Sequence, residues 1–285
     1  MERIDISNLA KICEEPRGHG LKYWVYDGGA KLVKFNGPMC RDCDVMESIS
    51  SIILRLLGID AVNVELGQTF DNNVINRYSL DDNRCCLVDS FLTIEGDTLC
   101  ELPHRWSKIK TSDQMKNISS CFYKMLNGFA NLMGNTPENI ETMKRDYVRQ
   151  VFGDCIVQNE DRPLRNIGII YNEKYCNYRL APSFDNGLAF ANYQFISDEP
   201  LCFVGNQNFP SSLIIEYIIK NHFDYVEDII VKLEELSSFG IDIVADNYKG
   251  EIPLGKLDYI CDSIKDTYKL IVDKAGKYHN KTNSL

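Results

Sequence analysis

The segment from Val157 to Gly187, VQNEDRPLRNIGIIYNEKYCNYRLAPSFDNG, decides the fold. Asp161 and Asn166 sit five residues apart in a polar loop that follows an apolar helical run. A short β-branched run, Ile167-Gly168-Ile169-Ile170, comes next, then the turn-forming Asn172-Glu173-Lys174, then a second strand-like run from Tyr178 to Leu180. Two such runs about a polar turn read as a hairpin. The hairpin would return Asp185 to the neighbourhood of Asn166. A carboxylate and a carboxamide meeting there supply the hard oxygen ligands that Mg²⁺ prefers. Asp161, one loop away, could then accept the proton of an alcohol attacking a bound phosphate. Metal-assisted phosphoryl transfer needs this layout. Asn, Asp, Arg and Pro are also ordinary loop residues, so D-R-x-x-x-N alone carries little. The weight lies in the ordered set: a helix, that loop, a hairpin and Leu-Ala-Pro-Ser-Phe-Asp.

At these residues the sequence resembles the HipA-like serine/threonine kinases. Their catalytic loop, N-x-D-R-x-x-x-N, stands here as Asn159 to Asn166, and their metal segment, L-A-P-x-[FY]-D, as Leu180 to Asp185. One departure is Pro163, where the family commonly has His. A related loop occurs in phosphatidylinositol kinases, so the loop does not choose the acceptor. The resemblance implies an α+β, two-lobed protein-kinase-like fold. Residues 1–92 would form a β-rich N-lobe and residues 93–285 a mainly helical C-lobe. It also implies ATP- and Mg²⁺-dependent phosphorylation of a Ser or Thr hydroxyl on a protein, with autophosphorylation as one outcome. Asp161 and Arg162 would be the catalytic pair, Arg162 bracing the loop, and Asn166 and Asp185 the metal ligands. With no segment ahead of Tyr23 long enough for an antitoxin-binding domain, a stand-alone kinase core is expected.

Upstream, Tyr23–Tyr26 and Ala30–Phe35 read as strands about the turn Asp27-Gly28-Gly29. Glycines let a backbone approach phosphates closely, so Gly28 and Gly29 are candidates for a nucleotide-covering loop. Lys34, with Lys31 as competitor, is the candidate phosphate lysine. Asp44 to Leu57 shows helical periodicity with Asp44 as N-cap. Glu47, the only glutamate of that helix, is either the partner of Lys34 or simply a favourable charge near a helix N-terminus. By order along the chain, Asp89, Ser90 and Phe91 fall at the adenine-contacting hinge.

Elsewhere we expect a short helix near Ile6–Cys13 and strands at Val62–Leu66, Val74–Arg77 and Arg84–Val88. Helices are expected over Met115–Leu132, Pro137–Ile156, from Ser211, over Val226–Leu236 and over Leu257–Val272. Residues from Asn192 to Pro210 suggest a lid or acceptor-binding loop, and those after Lys277 a frayed tail. His19, His104, His222 and His279 show no ligand spacing.

The 285 residues are 44% hydrophobic and 25% charged, ordinary globular composition. A net charge of −10 argues against nucleic-acid or anionic-membrane binding. The 11 cysteines follow no disulfide framework, and Cys40-Arg-Asp-Cys43 lacks a second pair at zinc spacing. A reducing, cytoplasmic setting is the simplest expectation, with a secreted effector the alternative. No apolar run approaches the ~20 residues of a membrane helix. Two further functions stay open: a lipid or small-molecule kinase of related fold, and a catalytically silent nucleotide-binding module.

Overall fold

The computed structural model describes residues 2–14, 21–37, 41–78, 80, 82–101, 117–132, 134–194 and 199–282. The first part is a six-stranded sheet in the order β1-β5-β6-β4-β3-β2. Its strands are β1 (Ile4–Asp5), β2 (Ala10–Glu14), β3 (Lys22–Tyr26), β4 (Ala30–Phe35), β5 (Val64–Gln68) and β6 (Arg84–Asp89). Only β1 runs parallel to its neighbour, β5. The helix expected near Ile6 is therefore a turn and strand. β2 pairs antiparallel with β3 from Ala10↔Tyr26 onward, and Ile6 drops into the core under the sheet. The strand expected at Val74 is a short helix, α2 (Asn72–Tyr78). Asp71 starts it by accepting the Asn73 amide at 2.8 Å, a side-chain cap that outweighs local β-propensity.

Helix α1 (Cys43–Leu56) crosses the sheet. Its apolar residues Val45, Met46, Ile49, Ile53 and Leu54 join the large core of the helical part, so one element belongs to both halves. Asp44 does not cap α1; Asp42 holds that position, without a side-chain bond. Asp44 is instead a buried partner of Arg3 and Arg84.

The second part is helical. α3 (Ile118–Ala130) is capped by Asn117, and α4 (Pro137–Ile156) by Thr136 with Pro at its first turn. β7 (Asp97–Glu101), β8 (Gly168–Asn172) and β9 (Asn177–Leu180) form a three-stranded sheet. The β8–β9 hairpin follows the expectation; β7 was not foreseen. It is held by Asp97, which accepts from Arg179 at 2.8 and 2.6 Å and from Asn172 at 2.8 Å. These bonds hold its carboxyl well below the usual range.

The stretch expected to be a lid contains a hairpin, β10 (Leu201–Val204) and β11 (Gln207–Pro210). Cys202 and Val204 are fully buried in the core, which fixes the hairpin to the body. α5 (Ser211–Asn221), α6 (Glu227–Glu235), α7 (Ile241–Asp246) and α8 (Leu254–Thr282) complete the chain. α8 runs past Lys277, so the tail expected to fray is helical as far as Thr282. Among the described residues no helix is long and apolar enough to cross a membrane. His19, His104 and Cys40 lie outside the described residues.

Candidate active site

The site begins where α4 ends. Gln158 takes φ +50°, and the Asn159 amide reaches back to the Asp154 carbonyl at 2.8 Å. This left-handed termination turns the chain sharply, usually with glycine at the turning position. Asn159 then folds the loop: its Oδ1 accepts the Asp161 amide at 3.1 Å, an Asx-turn. Its Nδ2 donates to Asp154 and Asn186 at 3.3 and 3.2 Å.

Arg162 is the hub. It is 1% exposed. Its Nε donates to Asp154 at 3.0 Å. Nη1 donates to the carbonyls of Asn166, at 3.2 Å, and Phe184. Nη2 reaches Ser183, at 2.8 Å, and Asn186. One guanidinium thus joins α4, the loop and the segment leading to Asp185, a task that suits its rigid fork of donors. Arg162 thus braces the loop, the role expected of it from the sequence.

Asn166 is buried, and its Nδ2 donates to the Asp161 carbonyl at 2.8 Å, which leaves Oδ1 as the end able to face a ligand. Asp161 Oδ1 accepts from Arg165 at 3.0 Å. Asp185 has φ +61°, a left-handed backbone that Asp tolerates better than most residues. Such strain concentrates at functional sites. The brace from Arg162 to the Phe184 carbonyl holds the preceding peptide.

Opposite stands the sheet. Strand alternation sends Lys34 to the α1 face, where Nζ lies 2.9 Å from Asp185 Oδ1 and 3.4 Å from Glu47 Oε2. Burial alone would lower its pKa, but Glu47 and Asp185 raise it above the ordinary lysine value. Lys34 in turn holds the Asp185 carboxyl below its usual value, against the opposing effect of burial. Glu47 therefore pairs with the strand lysine. Lys31 points to the other face, between Glu65, Asp27 and Asp89, which removes it as competitor. Gly187 lies against α1: a Cβ there would stand 3.3 Å from Glu47 Oε2.

The glycines lie at a hairpin tip, and the hinge residues lie at the end of β6 and just after it. Gly28 and Gly29 form a tight hairpin tip closed by the Asp27 amide on the Gly29 carbonyl at 2.9 Å. The tip adjoins Ala30, four residues or about 13 Å along the strand from Lys34. Nothing lies within 4 Å of a Cβ at either glycine. They are turn residues, remote from the lysine. The Asp89 and Ser90 amides donate to the carbonyls of Asn63 and Ala30, both at 3.0 Å. The Asp89 side chain accepts from Asn63 at 3.1 Å. Neither amide is left for a base. Phe91 does face the cleft. Its ring stacks on Phe184 at 5.4 Å, beside Leu32, Val62, Val64, Cys86 and Val88, making an apolar wall next to Lys34.

Sequence reasoning missed Asp154, Ser183 and Asn186, which hold the loop through Arg162. It also missed Lys22, which pairs with Lys34 across β3–β4 and whose charge also lowers the Asp185 pKa. Register across the hairpin could have pointed to Lys22. A cavity of about 240 Å³ on the far face of the sheet, between Ile6, Lys11, Tyr23 and Val74, includes none of these residues.

The whole architecture matches solved kinase structures. A Helicobacter pylori proinflammatory kinase, CtkA, superposes with a TM-score of 0.70 at 14% identity, covering 99% of each chain. The fold is that of the HipA-like kinases. HipA of the Shewanella oneidensis toxin–antitoxin system, solved with HipB and operator DNA, matches with a TM-score of 0.61 at 12% identity. That match covers 95% of this chain and 67% of HipA. No protein-family model matches the sequence, and no curated protein does. At such identities the likeness establishes the HipA-like fold, and the chemistry has to be argued from the site.

Proposed function

We propose that the chain is an ATP-dependent protein kinase that phosphorylates Ser or Thr hydroxyls. The observation that carries this is Lys34, half-buried between Glu47 of α1 and Asp185 of the loop, opposite an Asp161–Asn166 loop fixed by one arginine. Lys34 would hold the phosphates of ATP, and the wall of Leu32, Val88, Phe91 and Phe184 would take the adenine. Asn166 Oδ1 and the Asp185 carboxylate, both hard oxygens, fit Mg²⁺, which would neutralise charge on the phosphates. Asp161 orients the acceptor: one carboxylate oxygen is tied to Arg165, and the other can take the hydroxyl proton. The acceptor oxygen bonds to the γ-phosphorus as the bond to the ADP oxygen breaks. The kinase named among the fold neighbours supports the class, and the net charge of −10 weighs against anionic lipid acceptors.

The test is incubation with Mg²⁺ and γ-labelled ATP, alone and with a generic protein acceptor, beside Asp161→Ala and Asp185→Asn. Label on protein from the wild type, reduced at least about a hundredfold in both variants, is expected, since catalysis here is positioning and charge stabilisation. Label passing to phosphoinositide vesicles instead would show the acceptor class to be wrong. Near-normal turnover in Asp185→Asn would overturn the site.

A further inference from the structure

The N-terminal turns of α1, which carry Glu47, are tied to residues 200 or more positions later in the chain. Asp44, fully buried, accepts from Arg3 at 2.7 Å and Arg84 at 2.9 Å. Arg3 in turn donates to Glu251 from Nε at 2.9 Å and Nη2 at 2.6 Å. Arg84 donates to the Glu251 main-chain carbonyl at 3.3 Å. Ser48, the residue after Glu47, shares a buried 2.7 Å hydrogen bond with the Tyr248 hydroxyl. Lys256 lies 3.3 Å from Asp42. The short segment 248–256 thus touches positions 42 and 48 directly and position 44 through Arg3 and Arg84, all within about a turn and a half of Glu47. Glu47 is buried; its Oε1 has no partner among the described residues, and its Oε2 lies 3.4 Å from Lys34.

We propose that the 248–256 segment is a latch whose residues Tyr248 and Glu251 are positioning residues for the Glu47–Lys34 pair. This rests on the kinase reading of that pair. The physical reason is that a long, flexible lysine grips phosphate well only when a fixed carboxylate holds it, and α1 can hold Glu47 fixed only if its own N-terminus cannot swing. Buried pairs of this kind are strongly disruptive when one partner is removed. The latch keeps α1 in the assembled position without ligand, so the site is set before nucleotide arrives.

The full-length protein and the variants Glu251→Ala and Tyr248→Phe are compared by hydrogen exchange over 43–56 and by calorimetric affinity for MgATP. Lys265→Ala, in an exposed pair with Asp242, is the control. Each latch variant should speed exchange in α1 but not in α4 and weaken MgATP by about tenfold, a usual coupling between contacting groups. In a Glu47→Gln background the same latch changes should weaken MgATP no further, an outcome that general destabilisation would not produce. Additive losses in that background, unchanged α1 exchange, or equal loss in Lys265→Ala would overturn the latch. Tyr248→Phe removes a single hydroxyl, so it reports even where Glu251→Ala unfolds. A wild type that binds no MgATP would overturn the kinase reading instead, while α1 exchange still decides whether the segment restrains the helix.

Discussion

Arg162 shows how a single side chain can define a site that it does not take part in. Its fork joins Asp154, Ser183, Asn186 and the carbonyls of Asn166 and Phe184. A buried charge is costly without partners, and removing one partner leaves the other uncompensated. Arg162→Ala should therefore lower stability by about 3–5 kcal/mol, read from the urea midpoint. Asp161→Ala, whose partner Arg165 is largely solvent-exposed, should cost less than about 1 kcal/mol. Equal losses in the two would contradict the division into brace and reacting group. At this scale much was legible. Asp161, Asn166 and Asp185 belong to short motifs, and Arg162 ties the Asn166 and Phe184 carbonyls beside them. Asp154 and Asn186 were not legible, because nothing in a helix-end Asp or a loop Asn announces which distant guanidinium it meets.

Among the elements, α4 leads into the loop and is held by close packing. A Cβ at Gly153 would stand 2.6 Å from Leu54 Cδ2 and 2.7 Å from Ile59 Cδ1. Gly153→Ala gains about 1 kcal/mol of helix propensity and loses about 1–3 kcal/mol to overpacking. The net should be neutral to about 2 kcal/mol destabilising, where an open helix would gain. A stabilised variant in thermal unfolding would show that α1 and the 58–60 turn yield more easily than the contacts indicate. The end of α5 gives a pH signature. His222 stacks on Tyr225 at 5.6 Å and lies near Phe122 and Tyr217. Burial lowers its pKa, with Asp224 and Glu141 opposing. The folded-state value is below the unfolded value of about 6.5. The contribution of neutral His222 is thus present above that pH and is lost as pH falls through the folded-state value. Urea midpoints at pH 7.5 and 5.5 should differ more for wild type than for His222→Gln; identical differences would remove His222 as the source. Helix α4 was legible to the residue because Thr136, Pro137 and its apolar stripe agree. Helix α2 and strand β7 were not, because a single Asp cap and a single Asp97–Arg179 clamp decided them against local pattern.

Across the molecule, the core of the helical part extends through α1 to the sheet, and the Lys34–Asp185 contact closes the gap between them. The two-part architecture could be read from strands followed by helices, whereas the tie from Glu251 back to Arg3 spans 248 positions and leaves no local trace. Asp185 serves as the counter-ion of Lys34, and MgATP would have to take over both: phosphate for the lysine, metal for the carboxylate. Metal and nucleotide should therefore stabilise together far more than either alone. At a hundredfold excess over its dissociation constant, MgATP should add about 2.7 kcal/mol. For a chain of this size that raises Tm by roughly 4–5 °C. ATP with a chelator, or Mg²⁺ alone, should give only a small part of the shift. Asp185→Asn should lose most of it while its unliganded Tm stays close to that of wild type, since its partly exposed pair with Lys34 is replaced by the remaining Glu47 contact. A full shift from ATP in chelator would mean that the nucleotide binds without the Asn166–Asp185 oxygens, and the metal assignment would fall with it.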